Sequence, residues 1–174
     1  MHWSSLNPRT WFASRTQSAV PDELAAHLLL GQRGERLAAE YLERLGYRLV
    51  VSNFTLPVGR NRRGAIVQAE IDLIAYDAET LCFIEIKTRS SDWFAAPSVN
   101  VDLRKQRQIA RVARAYRRMF DLVDEPYRYD VVSVILPPEN DSGKMAPPRV
   151  EVLRNFWRDD KFHKRRWTES FGDY

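Results

Sequence analysis

An α/β fold, a sheet covered by helices, follows from three features of this 174-residue chain. Glu70-Ile71-Asp72-Leu73-Ile74 and Phe83-Ile84-Glu85-Ile86-Lys87-Thr88-Arg89 read as two strands, joined through the polar turn Asp77-Ala78-Glu79-Thr80. Apolar residues stepping by three and four mark two helices, at about 21–45 and 103–120. Strand-length apolar runs at 47–56 and 127–136, with an edge strand at 149–156, complete the chain. The element order is helix, three strands, helix, strand and one appended strand.

Bulk properties narrow the class. A content of 44% hydrophobic and 11% aromatic residues suits a folded domain and excludes wholesale disorder. A net charge of +4 is modest, so its distribution matters more than its sum. Cys82 is the single cysteine, which excludes an internal disulfide and a cysteine-rich zinc site and suits a reducing compartment. Residues 1–15 lack an apolar leader core, and no run reaches membrane-spanning length. The expectation is a soluble, cytoplasmic protein. Nucleotide-loop and serine-elbow motifs are missing, and His2, His27 and His163 lack metal-ligand spacing.

Residues 1–20 show no period and read as a flexible extension, although Trp3 and Trp11 offer ways to clip onto the domain. The domain itself spans 21–157. The first helix starts after Pro21 and stops at Gly46, with Gly31 and Gly34 as candidate breaks. Its inward stripe is Leu24, Leu28, Gly31, Glu35, Ala38, Leu42 and Leu45. Glu35 is the one acid there. It is either a first-turn charge on the helix dipole or a carboxylate aimed at a site, and an inward acid needs a partner.

The central hairpin carries the main signal. If residues 77–80 close a symmetric turn, Tyr76 pairs with Leu81, Ile74 with Phe83, Asp72 with Glu85, and Glu70 with Lys87. Residues two apart share a face, so four charges would gather on one side of an apolar sheet. Opposed carboxylates repel when empty and suit a hard divalent cation. Lys87 beside them suits a nucleophilic water or a developing negative charge. The competing reading is a set of salt bridges on an exposed sheet face. The apolar residues between the charges leave little room for a solvated face.

The second helix holds Arg104, Arg107, Arg111, Arg114 and Arg118 on one stripe, with Lys105 beside it and no acid over 103–118. Gln106, Ile109, Ala113, Tyr116 and Phe120 form the packing side. Solvated helix faces usually mix signs, whereas unmixed arginine points to phosphate and so to nucleic acid. Asp130, at the head of the next strand, reads as structural. The tail, 158–174, mixes cations with aromatics at Lys161, Phe162, Lys164, Arg165, Arg166 and Trp167, which suits nucleic acid or a frayed end.

Asp72, twelve intervening residues, then Glu85-Ile86-Lys87 resembles the D…(D/E)xK signature of the PD-(D/E)XK nuclease superfamily. The wider pattern resembles the YraN family. Gly31-Gln32-Arg33-Gly34-Glu35 stands for its G-x-x-GE helix, Ala69-Glu70-Ile71-Asp72-Leu73-Ile74 for its GEIDLI, and Phe83 to Arg89 for its F-V-E-V-K-T-R. The resemblance implies a restriction-endonuclease-like αβββαβ core, a mixed sheet flanked by helices. By position it implies Asp72, Glu85 and the carbonyl of Ile86 as ligands of Mg²⁺ or Mn²⁺, and Lys87 as the residue that orients or deprotonates water. Glu35 would bind directly or through water, and Glu70 and Arg89 would support the site. Lys105 matches a family lysine, with phosphate binding or support of the centre as its role. Two departures stand out. Ala69 replaces a glycine, and the chain is longer between the first two strands, so residues up to Gln68 read as an enlarged hairpin loop. Arg60, Arg62 and Arg63 there are either solvated charges or phosphate contacts.

The functional expectation is a metal-dependent nuclease-like protein acting on DNA, with branched DNA in repair or recombination suggested by likeness to Holliday-junction resolvases. A homodimer would suit a two-fold symmetric substrate. The alternative is a non-catalytic nucleic-acid-binding module or adaptor that retains the fold.

Overall fold

The computed structural model describes residues 22–90, 100–137 and 146–162. The expectations for residues 1–20, and for the tail beyond 162, lie outside these. Helix α1 spans Asp22–Arg44, followed by strands β1 (Arg48–Arg60), β2 (Ile66–Asp77) and β3 (Thr80–Arg89). Helix α2 spans Leu103–Met119, and strands β4 (Tyr127–Ile135) and β5 (Arg149–Trp157) follow. The sheet order is β1-β2-β3-β4-β5. Only the β3–β4 pair is parallel, because α2 provides the crossover a parallel pair requires. The sheet is mixed and flanked by helices, consistent with a restriction-endonuclease-like core.

A helix covers each face. On one face Ile74, Phe83, Tyr129 and Val131 pack against Ile109, Val112, Ala113 and Tyr116 of α2. On the other, Leu73, Ala75, Ile84 and Val132 pack against Ala38 and Leu42 of α1. Alternate residues of β3 and β4 therefore enter opposite cores, which is why these strands read as nearly unbroken apolar runs.

Three sequence expectations are revised. α1 continues through Gly31 and Gly34 without a break. Its inward stripe also shifts. Leu24, Leu28 and Leu45 are exposed, while Gly34, Ala38 and Leu42 are buried. Gly34 is used for close approach, since a Cβ there would lie 1.8 Å from Thr88 Oγ1. Finally, most of the segment up to Gln68 is strand, with only residues 61–65 forming the turn. Pro57 pairs with Gln68, Gly59 with Val67 and Arg60 with Ile66.

At the start of α2, the Asp102 side chain accepts a hydrogen bond from the Lys105 backbone N–H at 2.8 Å. At its end Arg117 is buried. It donates to the carbonyls of Leu122, Val123 and Glu125, and its guanidinium lies 3.7 Å from the Tyr127 ring centroid. The cation-rich helix is thus fixed at both ends. Phe120, expected on the packing side, is exposed but stays against Tyr116, with ring centroids 4.6 Å apart.

Candidate active site

The hairpin register matches expectation as far as Ile74–Phe83 and Leu73–Ile84, and β2 then parts from β3. An irregularity of β1 lies opposite Asp72. Asn53 of β1 adopts a left-handed conformation, φ 53°, in the gap between the pairs Ser52–Leu73 and Phe54–Ile71. Asparagine tolerates that region better than most residues. Strict alternation fails there. Ile71 and Ile74, three apart, enter the same core, as do Val51 and Phe54.

This kink corrects the expected pairing. Glu70 lies opposite Thr55 of β1 rather than Lys87 and is exposed. Asp72 stands in the fork between β2 and β3, where its Oδ2 accepts the Ile86 backbone N–H at 2.7 Å. The carboxylate thus satisfies a donor that the diverging strand would leave unpaired.

Glu85 is 2% exposed. Its Oε1 accepts from Lys87 Nζ at 2.8 Å. Its Oε2 forms an ion pair with Lys105 Nζ at 3.0 Å but has no aligned hydrogen bond. Lys105 Nζ also lies 3.8 Å from Asp72 Oδ1. Two carboxylates and two ammonium groups therefore meet at one point. Burial, then the neighbouring Glu85 charge, pushes the Asp72 carboxyl up to about 7, against the opposing influence of Lys105, the Ile86 N–H and Lys87. The Lys105 ammonium is held above its ordinary range. Burial acts against its charged form, and the charges of Glu85, Asp72 and Glu70 outweigh that.

The remaining site candidates scatter. Glu35 is half-buried, and its Oε2 accepts from Asn53 Nδ2 at 3.5 Å. Among the described residues, no three acidic, histidine or cysteine side chains form a metal-holding group. Arg89 is exposed at the end of β3, and its carbonyl accepts the Leu136 N–H. Arg104, Arg107, Arg111 and Arg118 are exposed along α2. Arg114 is half-buried and turns back to the Ala110 carbonyl at 3.1 Å. Lys105, read as either a phosphate contact or a support of the centre, lies against the acidic pair. Its offset from the stripe and its match to a family lysine were the available signals.

The oxygen donor set suits a hard cation. Mg²⁺ takes one or two carboxylates and completes its shell with water and phosphate oxygens. The buried Glu85 Oε2, without an aligned donor, is an acceptor such an ion would satisfy. A separate cavity of about 520 Å³, lined by Thr80, Tyr127, Tyr129, Trp157 and Asp159 among others, lies where β3 and β4 begin, away from Glu85.

The model of the family described as "Uncharacterised protein family UPF0102" matches residues 34–134. The chain belongs to this family. UPF0102 is the YraN-like PD-(D/E)XK nuclease-like group. A UPF0102 protein of Chlorobium limicola is 42% identical over 131 residues, 75% of this chain and 93% of its own length. One from Geobacter sulfurreducens is 40% identical over 128 residues, covering 73% and 87%. Another, from Alkaliphilus metalliredigens, is 37% identical over 110 residues, covering 63% and 88%. The matched span contains Gly34, Glu35, the fork at Asp72 and Glu85, and all of α2. Among the described residues no helix is long and apolar enough to cross a membrane.

Proposed function

We propose that this UPF0102 protein is a metal-dependent phosphodiester hydrolase acting on DNA. The observation that carries the reading is the Asp72–Glu85 pair at the β2–β3 fork, bracketed by Lys87 and Lys105. Asp72 and Glu85 would hold Mg²⁺ or Mn²⁺, with the backbone oxygen of Ile86 as a further ligand by family resemblance. When bound, the ion polarises a phosphodiester and lowers the pKa of its water.

The chain's own groups do the rest. Lys87, one-third exposed at its side chain, is the cation placed to orient the attacking water or meet developing negative charge. Lys105 holds the Glu85 carboxylate in place. Glu35 would bind directly or through water. The exposed arginines of α2 carry the phosphate backbone past the site, as positioning contacts without sequence choice. Branched DNA in repair or recombination is the substrate class suggested by family resemblance, and a homodimer would match its symmetry.

One observation favours a second reading, a nucleic-acid-binding module that retains the fold. The two ammonium groups already face the two carboxylates, so the cluster carries no net negative charge that requires a metal. A single assay separates the readings. The protein and Glu85→Ala are incubated with labelled branched, duplex and single-stranded DNA, with Mg²⁺, Mn²⁺ or EDTA. Metal-dependent products from the parent alone are expected. Binding by both proteins without products from either would replace the hydrolase with the module.

A further inference from the structure

The feature that the acidic pair and α2 leave unexplained is the far end of the β1–β2 hairpin. β3 pairs with β2 only from Leu73 onward, so among the described residues β2 back to Ile66 has β1 as its only strand partner. Leu56 and Val58 still pack against the core, but residues 59–66 are exposed. At about 3.3 Å per residue, this ribbon carries its tip roughly 20 Å beyond Asp72.

The tip is built rather than loose. Asn61 Oδ1 accepts the backbone N–H of Arg63 at 2.9 Å and of Ala65 at 3.0 Å. Arg60 Nη1 donates to the Gly64 carbonyl at 2.7 Å, and Gly64 supplies the positive φ of 77° that closes the turn. Arg62 and Arg63 are exposed and form no ion pair among the described residues. Residues 57–68 contain no acid and no aromatic side chain.

We infer that this ribbon is a double-stranded-DNA contact, an arm that lays Arg62 and Arg63 into a groove and against its flanking phosphates, away from the cutting site. The inference rests on the nucleic-acid reading above and adds the strandedness of the substrate. Charge points to a polyanion, since the arm carries only cations. Shape points to duplex DNA, because its major groove admits a two-stranded ribbon, whereas the deep, narrow groove of duplex RNA does not. Composition argues against single strands, which are gripped by stacking bases on aromatic rings that this arm lacks.

The test uses the full chain in EDTA, so that binding is read without cleavage. Arg62→Ala/Arg63→Ala is compared with the parent and with Arg107→Ala/Arg111→Ala on α2, by fluorescence anisotropy. The probes are a duplex DNA, one of its single strands and a duplex RNA of matching sequence. For the arm variant, duplex-DNA affinity falls by about tenfold near 0.1 M salt, and the log–log salt slope becomes shallower by roughly two. Single-strand affinity changes less than about twofold, and circular dichroism is unchanged because the tip is outside the core. Arg62→Lys/Arg63→Lys retains the slope. Loss by the α2 variant with none by the arm variant overturns the inference and leaves the proposed function standing. Equal losses by the arm variant on single-stranded DNA or on duplex RNA overturn the assignment to duplex DNA. A parent that binds no nucleic acid overturns both.

Discussion

Lys105, from the first turn of α2, reaches across to Glu85 in the middle of the sheet, with its Nζ 3.0 Å from Oε2. It is the tie between the basic helix and the acidic pair. Replacing it with methionine leaves Glu85 with Lys87 alone. Breaking a fully buried pair costs about 3–5 kcal/mol, but Lys105 is 30% exposed at its side chain and Lys87 remains. We expect a loss of roughly 2 kcal/mol by urea unfolding. Adding Glu85→Gln should recover part of it, because the orphaned charge goes too, and a double-mutant cycle reads the coupling directly. Additive losses would show that the two residues do not interact.

Metal-free stability should depend on pH through Asp72. Its carboxyl is raised from 3.8 to about 7, chiefly by burial and then by Glu85. A raised acid favours the folded state most when protonated, so its contribution is fully present below 3.8 and lost as pH rises through about 7. In EDTA, the parent should therefore lose more stability than Asp72→Asn between about pH 5 and pH 8. Urea midpoints at several pH values measure this, and parallel curves would contradict it.

Two glycines of α1 should respond oppositely to alanine. Gly34→Ala places a methyl 1.8 Å from Thr88 Oγ1 and 2.7 Å from Thr88 Cβ, so helix and sheet must part, at about 2–3 kcal/mol. Gly31→Ala meets nothing within 4 Å and should stabilise by about 0.5–1 kcal/mol through helix propensity. Thermal melts of the two variants, with Thr88→Ala as a partial rescue of the first, check the pair.

Asp130 should matter for folding and not for chemistry. It is fully buried, accepts both contacts of Arg128 Nε at 2.9 and 3.0 Å, and takes the Asn155 N–H at 2.7 Å. Asp130→Ala leaves Arg128 without that partner and should cost about 3–5 kcal/mol. Nucleic-acid affinity of the folded fraction should stay within about twofold, since the network lies at the start of β4, on the far side from Lys87. A specific loss of binding at unchanged stability would make Asp130 functional.

The strands and helices were legible because their patterns are local. Ile, Val and Phe runs punctuated by Asp77-Ala78-Glu79-Thr80 read as a hairpin, and the observed pairing of Tyr76 with Leu81 and Ile74 with Phe83 follows. Strict alternation through Asp72 places Glu70 opposite Lys87, whereas the irregularity that interrupts it sits in the partner strand, at Asn53. A strand's own residues do not announce a bend imposed by its neighbour. The ribbon beyond the sheet was hidden for a similar reason. Pro57, Gly59 and Gly64 are loop-forming residues locally, yet cross-strand pairing carries the strands to Arg60 and Ile66.

Sequence alone determined the α/β class, the element order, the family signature around Asp72, Glu85 and Lys87, and the unmixed charge of α2. These depend on spacing along one chain segment, where residue type and period suffice. The tertiary structure decided which charges meet. It brought Lys105 from a helix about twenty residues downstream onto Glu85, left Glu70 outside the cluster, and turned Arg117 inward onto carbonyls of the turn that follows α2. Those outcomes follow from desolvation. A buried carboxylate or guanidinium takes whichever partner packing brings within about 3 Å, and packing is a property of the whole fold.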